Sequence, residues 1–313
     1  MAESDDAIDV TSCILATGGF DNQIRLWRVD NGSCHRTFPH PNSQINVLSI
    51  TPDKTTIAAG GNPKISLYDT LAMGTGAREE FEGHQSNVTD LCFSADGSFL
   101  STSSEDGTVK IWDHRASREH QRNFNHQASV TSVALHPSLP HVFSGDEQGR
   151  VVRWDLKANH CEEHLIPEPD VAIRHLATSP DGAHLVAVNN EGRCYIWDSS
   201  RSECQAKLKL DVHPSTYALS CVFSPDSRWL VTTGADQTVH IYDAHKDFRL
   251  HATLTGHTAW VWRAAFSGDS AYLVTVSSDK TGRLWDIRAD QPETVLEFKG
   301  HQRAVTAVAL NDV

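Results

Sequence analysis

Histidine, aspartate and an aromatic residue recur together along this chain at spacings that would suit proton transfer. In four such sets the aspartate lies six residues before the aromatic residue. A histidine oriented by a carboxylate is the arrangement that many hydrolases use as a general base. The sets are His301, Asp21 and Trp27; His84, Asp106 and Trp112; His213, Asp236 and Tyr242; and His257, Asp279 and Trp285.

A second candidate site is the segment His160-Cys-Glu-Glu-His164, which matches the H-x-x-E-H pattern of some zinc proteases. Two histidines in that pattern need a helix to bring them onto one face. Here the segment follows Trp154-Asp155, where an outer β-strand is expected. On a strand the two histidines would lie about 13 Å apart, too far to share one zinc ion. We therefore expect neither a metal site nor a cofactor.

The sets recur because the whole chain is repetitive, and its period identifies the elements that position them. A β-patterned stretch ends in an aromatic residue, usually followed by aspartate, at intervals of 41, 44, 42, 43, 45 and 43 residues. The seven aromatic residues are Trp27, Tyr68, Trp112, Trp154, Trp197, Tyr242 and Trp285. A period of roughly 40–45 residues ending in Trp-Asp is the signature of WD-repeat propeller blades. The sequence therefore predicts an all-β, seven-bladed WD-repeat β-propeller.

The repetition also decides between a catalytic and a structural role for the histidine sets. A catalytic group would be singular, whereas these sets recur in several blades. We therefore interpret them as hydrogen-bond networks that join the loop of a blade to its strands. Where the aspartate is expected, blades 2, 4 and 5 have Asn62, Gln148 and Glu191, and blade 5 has Pro169 in place of the histidine. We predict that the network is weakened in these three blades and that they are less rigid.

The two ends of the chain predict how the ring closes. The first strand-like segment, Cys13 to Thr17, has the pattern of a second strand, and the last, Val305 to Leu310, has that of a first strand. We expect the C-terminal strand to join the N-terminal blade as its innermost strand, which removes two open sheet edges. Residues 1–12 would be a short acidic tail and residues 13–313 a single propeller. Inner strands are expected to begin near Val305, Ile45, Val88, Val130, Ile173, Ala218 and Val261.

Composition excludes several classes of function. The chain has 27 basic and 40 acidic residues, a net charge of −13, which disfavours binding to nucleic acids or anionic membranes. Its seven cysteines are scattered without C-x-x-C spacing, so neither a disulfide framework nor a zinc ribbon is predicted. The N-terminus lacks the apolar core of a signal peptide, and no apolar run is long enough to span a membrane. We expect a cytoplasmic protein without direct membrane insertion.

Alignment of the seven inner strands isolates two positions that flank the first buried apolar residue of each blade. The two positions are two residues apart, so their side chains are expected to point the same way. Most are small or polar, but blade 7 has two tryptophans and blade 6 a tyrosine. From blade 1 to blade 7 the pairs are Ala304/Thr306, Gln44/Asn46, Asn87/Thr89, Ser129/Thr131, Ala172/Arg174, Tyr217/Leu219 and Trp260/Trp262.

These exceptions predict a protein-binding face near the mouth of the central channel. Blades 6, 7, 1 and 2 are contiguous in a ring, so Tyr217, Trp260 and Trp262 would form a patch bordered by Gln44 and Asn46. Exposed aromatic residues with a polar border are the usual anatomy of a binding hot spot. The alternative is that the tryptophans only fill space between blades. The other blades use alanine, serine and threonine there, which favours binding.

Six segments carry a more specific resemblance. They are ILATGGFDNQIRLW (14–27), SQINVLSITPDKTTIAA (43–59), LIPEPDVAI (165–173), YALSCVFSPDS (217–227), AWVWRAAFSGDS (259–270) and GHQRAVTAVALND (300–312). Over nearly its whole length the chain resembles the small WD-repeat subunit of the TOR kinase complexes, the G-protein-beta-subunit-like protein family. LIPEP and the W-x-W segment are not general features of propellers.

The resemblance implies a non-catalytic scaffold subunit found in both TOR complexes, without a small-molecule substrate. Its partner would be the TOR serine/threonine kinase, bound at a helical insertion in the C-terminal lobe of the kinase domain near the active-site cleft. By motif match the contacts would be Trp260, Trp262, Tyr217, Gln44 and Asn46. The complex would recruit the protein to lysosomal, vacuolar or other endomembrane surfaces.

Three other functions stay open at this point. One is a peptide-binding adaptor, such as a ubiquitin-ligase substrate receptor, although that class usually has basic residues at the channel mouth. Here only Arg174 is basic at the aligned positions. A G-protein beta subunit would carry an N-terminal coiled-coil helix, and only about twelve residues precede the first strand here. An enzyme is the third, because a propeller can host many activities.

Overall fold

The computed structural model describes residues 13–41, 43–113, 120–158, 160–199, 206–289 and 291–312. The acidic tail predicted for residues 1–12 lies outside them. Twenty-eight strands form seven antiparallel sheets of four. The inner strand of each sheet contacts the inner strand of the next, all the way round. The all-β, seven-bladed propeller predicted from the repeat is confirmed.

The blades follow the chain, and strands are numbered β1 to β28 in order. Blade 1 contains β1 to β3 (Ile14–Gly19, Gln23–Trp27, Cys34–Pro39) with β28 (Val305–Asn311) as its inner strand. Blade 2 contains β4 to β7 (Val47–Ile50, Thr56–Gly60, Ile65–Asp69, Glu79–Phe81). Blade 3 contains β8 to β11 (Val88–Phe93, Leu100–Ser104, Thr108–Trp112, His120–Asn125). Blade 4 contains β12 to β15 (Val130–Leu135, His141–Asp146, Val151–Asp155, His160–Leu165).

The remaining three blades have the same order of strands. Blade 5 contains β16 to β19 (Ile173–Thr178, His184–Asn189, Arg193–Asp198, Leu208–Asp211). Blade 6 contains β20 to β23 (Ala218–Phe223, Trp229–Gly234, Val239–Asp243, Arg249–Leu254), with a short 3-10 helix, Ala244–Lys246, before β23. Blade 7 contains β24 to β27 (Val261–Phe266, Tyr272–Ser277, Thr281–Asp286, Glu293–Lys299). No helix in these described ranges is long and apolar enough to cross a membrane.

The predicted inner-strand starts agree with the structure in six blades and differ in blade 2. There the strand begins at Val47 rather than Ile45. Ile45 is fully buried, but its backbone N–H donates to the carbonyl of Gly19 in blade 1 instead of entering the ladder of its own blade. In blade 1, β1 extends to Gly19, beyond the predicted end at Thr17.

Ring closure follows the predicted scheme, which the strand pairing confirms. β28 pairs antiparallel with β1 in a register that joins Ile14 to Asn311 and Thr17 to Val308. The side chains continue the closure, because Thr306 Oγ1 donates to the carbonyl of Ile45 at 2.6 Å. The C-terminal strand therefore completes the sheet of blade 1 and links that blade to blade 2.

The hydrophobic core lies between the blades rather than in one central mass. The buried apolar residues form seven clusters, and each cluster joins two neighbouring blades. Blades 1 and 2, for example, share a cluster that includes Ile24, Phe38, Ile57 and Tyr68. Blades 7 and 1 share another that includes Trp27 and Phe298. Because each blade buries its faces only against its neighbours, an open ring would expose two of these faces to water.

The histidine sets of blades 1, 3 and 7 each form the same hydrogen-bonded relay. In blade 7, Trp285 Nε1 donates to Thr275 Oγ1 at 2.9 Å, and that hydroxyl lies 2.8 Å from His257 Nε2. His257 Nδ1 lies 2.7 Å from Asp279 Oδ2. Blades 1 and 3 repeat the arrangement through Thr17 and Thr102. In blade 6, His213 contacts Asp236 and Thr232, but Tyr242 directs its hydroxyl to His240 at 3.3 Å.

The prediction of a weakened network is wrong for blade 4. Asp146 lies two residues before Gln148, and its Oδ2 is 3.3 Å from Nδ1 of His126. His126 Nε2 and Trp154 Nε1 both contact Ser144 Oγ at 2.7 Å. A buried aspartate at the end of β13 therefore replaces the one expected in the turn, and the network is complete.

In blades 2 and 5 the network does change. His40 of blade 2 contacts the Tyr68 hydroxyl at 2.9 Å and has no carboxylate partner among the described hydrogen bonds. In blade 5, Glu168 accepts from the Tyr195 hydroxyl at 2.5 Å, and the buried Trp197 Nε1 has no hydrogen-bond partner within the described residues. The lower rigidity expected for these blades stays a prediction.

Truncation after Lys299 removes β28 and His301, so it opens the ring between blades 7 and 1. We expect a chain without a cooperative thermal transition that partitions into the insoluble fraction, because the β1 edge and two core faces are exposed. Circular dichroism melting and fractionation would measure this. A chain that ends at Asp312 is the control and should melt as the full chain does. Equal melting of the Lys299 truncation would contradict ring closure by β28.

A second prediction concerns Asp279. Burial alone would raise the pKa of its carboxyl, but hydrogen bonds from His257, Thr281 and Thr258 lower that pKa well below its usual value. A depressed pKa in the folded state stabilises the fold above the unfolded pKa of about 4, and this contribution is lost as the pH falls further. Asp279→Asn should therefore lose about 1–3 kcal/mol at pH 7.

Urea unfolding at pH 7 and at pH 3 would measure that loss, which should be smaller at pH 3. The matched control is Glu191→Gln, at the same position in blade 5, where no histidine is present. Its exposed ion pair with Arg193 should contribute less than about 1 kcal/mol. A loss in Asp279→Asn that is equal at both pH values would exclude the charged network as its cause.

Candidate functional site

The channel-mouth face is shaped by a β-bulge that recurs in the inner strands. In blade 7 the ladder pairs Val261 with Ser277 and then Arg263 with Val276, so Trp262 is the unpaired residue. The same shift occurs in blades 3, 4, 5 and 6 at Thr89, Thr131, Arg174 and Leu219. A bulge changes the direction of a side chain relative to the regular pleat. The second aligned position of these blades is therefore a bulge residue. The sequence pattern indicated a regular strand there and did not predict the bulge.

At the second aligned position of blades 1, 2 and 3 the side chain joins neighbouring blades, whereas Thr131 and Arg174 bond within their own blades. Thr306, Asn46 and Thr89 donate to the carbonyls of Ile45, Val88 and Val130, each in the next blade. Asn46, predicted as a binding residue, therefore already uses its amide within the ring, at 3.0 Å. Trp262 makes no such bond; its indole Nε1 donates to Ser278 Oγ within blade 7 at 2.7 Å.

The three aromatic residues predicted as a patch do lie together. The Tyr217 and Trp260 rings meet edge to face with centroids 6.0 Å apart, and Trp260 and Trp262 are 5.7 Å apart. Tyr217 and Trp260 are each 41% exposed, while Trp262 is half-buried. We call Tyr217, Trp260 and Trp262 the aromatic patch. Their packing against one another fixes the rings, which limits the entropy that a partner would have to remove on binding.

A cavity of about 250 Å³ lies at the mouth of the channel beside the patch. Trp262, Gln44 and Asn46 all line it, so the structure brings the polar border of blade 2 to the same depression as the patch. Tyr217 and Trp260 do not line the cavity and lie beside it instead. The predicted binding residues therefore divide between the cavity wall and the surface next to it.

Sequence reasoning missed a third position on this face, the residue seven before each blade-defining aromatic residue. In every blade except blade 2 its backbone N–H donates to the carbonyl that precedes the inner strand, as in Phe20 to Ala304 at 3.0 Å. Phe20, Glu105 and Glu147 occupy this position and line the cavity. Phe20 is 39% exposed and adds an aromatic ring in blade 1. Their constant spacing from the aromatic residue could have identified them.

Below the mouth, charged side chains cross the channel. Arg263 donates through one guanidinium nitrogen to Asp90 Oδ1 at 3.0 Å and through the other to His175 Nε2 at 2.8 Å. Asp90 Oδ2 accepts from the Ser132 hydroxyl at 2.7 Å. These four residues come from blades 7, 3, 5 and 4, and we call them the cross-channel network. Their side chains follow the bulge in each strand, and none was singled out in the sequence.

The protonation states in this network follow from burial and charge. Burial, and then the Arg263 charge, lower the pKa of His175 to about 4, so its ring is neutral at pH 7. A neutral ring can accept from Arg263 at Nε2 while Nδ1–H donates to the carbonyl of Cys221 at 3.0 Å. Burial would raise the pKa of Asp90, but Arg263 and the other donors lower it below its usual value. Arg263 and Asp90 therefore form a charged pair inside the channel.

The candidate catalytic and metal sites lie in parts of the blades that have a structural role. The histidine–aspartate relays recur in several blades, where each joins loop residues to the strands by hydrogen bonds. His160 and His164 lie on β15, an outer strand and not a helix, and their side chains are outside the described part of the structure. Within that part, no group of three or more histidine, cysteine or acidic side chains could hold a metal ion. The face with the aromatic patch is therefore the candidate site, and its chemistry suits protein binding.

Comparison with known families agrees with the repeat count. The family described as WD domain, G-beta repeat matches the chain at residues 4–28, 32–69, 77–113, 118–155, 160–198, 203–243 and 248–286. These matches are offset from the blades. The segment 32–69, for example, contains the outer strand of blade 1 and the first three strands of blade 2.

Full-length relatives narrow the family. The chain is 44% identical over 306 residues to a protein of Schizosaccharomyces pombe named Target of rapamycin complex subunit wat1, covering 96% of each. It is 42% identical over 306 residues to Target of rapamycin complex subunit LST8 of Saccharomyces cerevisiae, covering 96% of this chain and all of the relative. Protein LST8 homolog of Drosophila melanogaster is 41% identical over 311 residues, 97% of this chain and 98% of the relative. The chain therefore belongs to the LST8 family of seven-bladed WD-repeat proteins, as its sequence segments predicted.

Proposed function

We propose that this protein is a non-catalytic subunit of TOR kinase complexes and that it binds the kinase domain through the aromatic patch. The single observation that carries the proposal is the patch itself, an exposed aromatic cluster on one side of a channel mouth that is lined mainly by polar and charged residues. Three of its relatives are named as subunits of the target of rapamycin complex, or as homologues of one. We infer the same assembly for this chain.

The composition of the patch supports docking onto a folded partner. Tryptophan and tyrosine are the residues that most often carry binding energy at protein interfaces, especially when polar groups surround them. Gln44 and Phe20 extend the surface across blades 1 and 2, next to the cavity that Trp262 lines. The binding surface would therefore span blades 6, 7, 1 and 2.

The proposed contact lies on the C-terminal lobe of the kinase, near its active-site cleft, as the family resemblance implies. A rigid ring there would act by stabilising the fold of the kinase and one wall of the cleft. The propeller would supply no reacting group, which agrees with the structural settings of its histidine–aspartate relays. The support for this role is the match of patch residues to the family segments 217–227 and 259–270.

Replacement of Trp260 and Trp262 together by alanine should abolish most of the affinity for the TOR kinase domain. Loss of one hot-spot tryptophan costs at least about 2 kcal/mol, a factor of about thirty, so we expect the double variant to weaken binding by at least that factor. Biolayer interferometry with the purified kinase domain would measure this. Thermal melting would show whether the variant keeps its fold.

The matched control is Leu250→Ala/Val295→Ala, which removes two exposed apolar side chains from the outer strands of blades 6 and 7. Its affinity should equal that of the native protein. If both variants bind as well as the native protein, the kinase domain is the partner but the interface lies outside the aromatic patch. If the native protein itself fails to bind the kinase domain, the proposed function is wrong.

A further inference from the structure

Arg263 directly follows the bulge residue Trp262 on the inner strand of blade 7. Its guanidinium group reaches across the channel to blade 3 and to blade 5, so it contacts blades that are not neighbours of blade 7 in the ring. The other contacts of β24 with inner strands are to β20 and β28, in the two adjacent blades. Arg263 therefore holds β24 from across the channel, in addition to the packing of β24 against its two adjacent blades.

We propose that Arg263 is a positioning residue for the aromatic patch. By bridging Asp90 and His175 across the channel, it holds the bulged start of β24 in one conformation and so orders Trp260 and Trp262 for binding. The proposal rests on the proposed docking role of the patch and goes further, because it assigns a function to residues that no partner would need to touch.

The geometry favours this role over a general contribution to stability. The Asp90 side chain is only 4% exposed and that of Arg263 19% exposed, so the pair is largely removed from water. Replacing a buried ion pair with neutral side chains is often neutral for stability, because desolvation offsets the attraction between the charges. Such pairs can instead select one arrangement among several of similar energy. Here the arrangement selected is that of the strand segment that carries the patch.

Among the described hydrogen bonds, blade 7, like blades 4, 5 and 6, lacks a side-chain bond to the next blade that blades 1, 2 and 3 have at this position. In blades 1, 2 and 3 the residue at the second aligned position bonds to the next blade, as Thr306 does with the Ile45 carbonyl. Trp262 has given up that bond and donates within its own blade, to Ser278. The Trp262 carbonyl accepts from the Thr233 hydroxyl of blade 6 at 3.4 Å, and the adjacent Arg263 adds side-chain contacts with the more distant blades 3 and 5.

The test compares Asp90→Asn/Arg263→Met with a matched control, Ser132→Ala. The double variant removes both charges, while the asparagine oxygen can still accept from Ser132 and from the backbone N–H of Val133, as Asp90 does. The control loses the hydrogen bond to the same carboxylate and the one from the backbone N–H of Leu176, but it keeps the Arg263 bridge. We expect all three proteins to melt within about 5 °C of one another.

Two measurements separate positioning from stability. Hydrogen exchange by mass spectrometry on the free protein should show faster exchange at residues 258–263 in the double variant alone. Affinity for the TOR kinase domain should fall about tenfold in the double variant, because the partner must then order two tryptophans. Ser132→Ala should match the native protein in both measurements.

Native exchange at residues 258–263 in the double variant would overturn the proposal, and so would faster exchange with unchanged affinity. If the double variant does not fold, Arg263→Lys serves instead, because one ammonium group cannot replace both contacts of the guanidinium fork. It should show the same two effects at smaller amplitude, and native behaviour would overturn the proposal. The exchange measurement needs no partner, so it decides whether Arg263 orders the patch even if the kinase is not that partner.

Discussion

The pairing of β28 with β1 is the constraint on which the rest of this structure depends. The apolar core is divided into seven clusters that lie between blades, so a blade is stable only when it has a neighbour on both sides. β28 gives blade 1 its inner strand, carries Thr306 to blade 2, and follows His301, which completes the relay with Thr17 and Asp21. The packing of blade 1 against blades 7 and 2 therefore depends directly on this closure.

Within the closed ring, repeated and exceptional residues have different roles. Positions that repeat, such as the threonines and aspartates of the relays, satisfy buried polar groups and keep the strands in register. Some positions that depart from the repeat face the channel or its mouth: Trp260 and Trp262, where most other blades have small or polar residues, and Arg263, where blade 4 has Ser132. Because the repeat does not prescribe these residues, the two tryptophans can be exposed while Arg263 bridges the channel. The same reasoning separates the aromatic patch from Asn46, whose amide serves the ring.

The sequence predicted features that depend on spacing and missed those that depend on three-dimensional proximity. Aligning the chain with itself reveals its period. That period predicts the blade count, the closure by β28, and the cluster of Tyr217, Trp260 and Trp262. The replacement of the turn aspartate by Asp146 breaks the spacing, so the network of blade 4 was missed. Arg263 and Asp90 are separated by 173 residues, and no periodicity relates an arginine in one blade to an aspartate in another. The bulge was equally hidden, because a strand pattern does not show where the ladder skips a residue.

Ring closure also has a consequence for biosynthesis. Thr17 and His301 are 284 residues apart, so the emerging polypeptide presents the edge of β1 to its surroundings long before the ribosome has made its partner strand. Until then blade 1 lacks both its inner strand and the packing of blade 7, and an unpaired edge of this kind favours intermolecular association. Blade 1 therefore cannot complete its sheet before the C-terminal strand has been made, and its open β1 edge exposes the unfinished chain to intermolecular strand pairing.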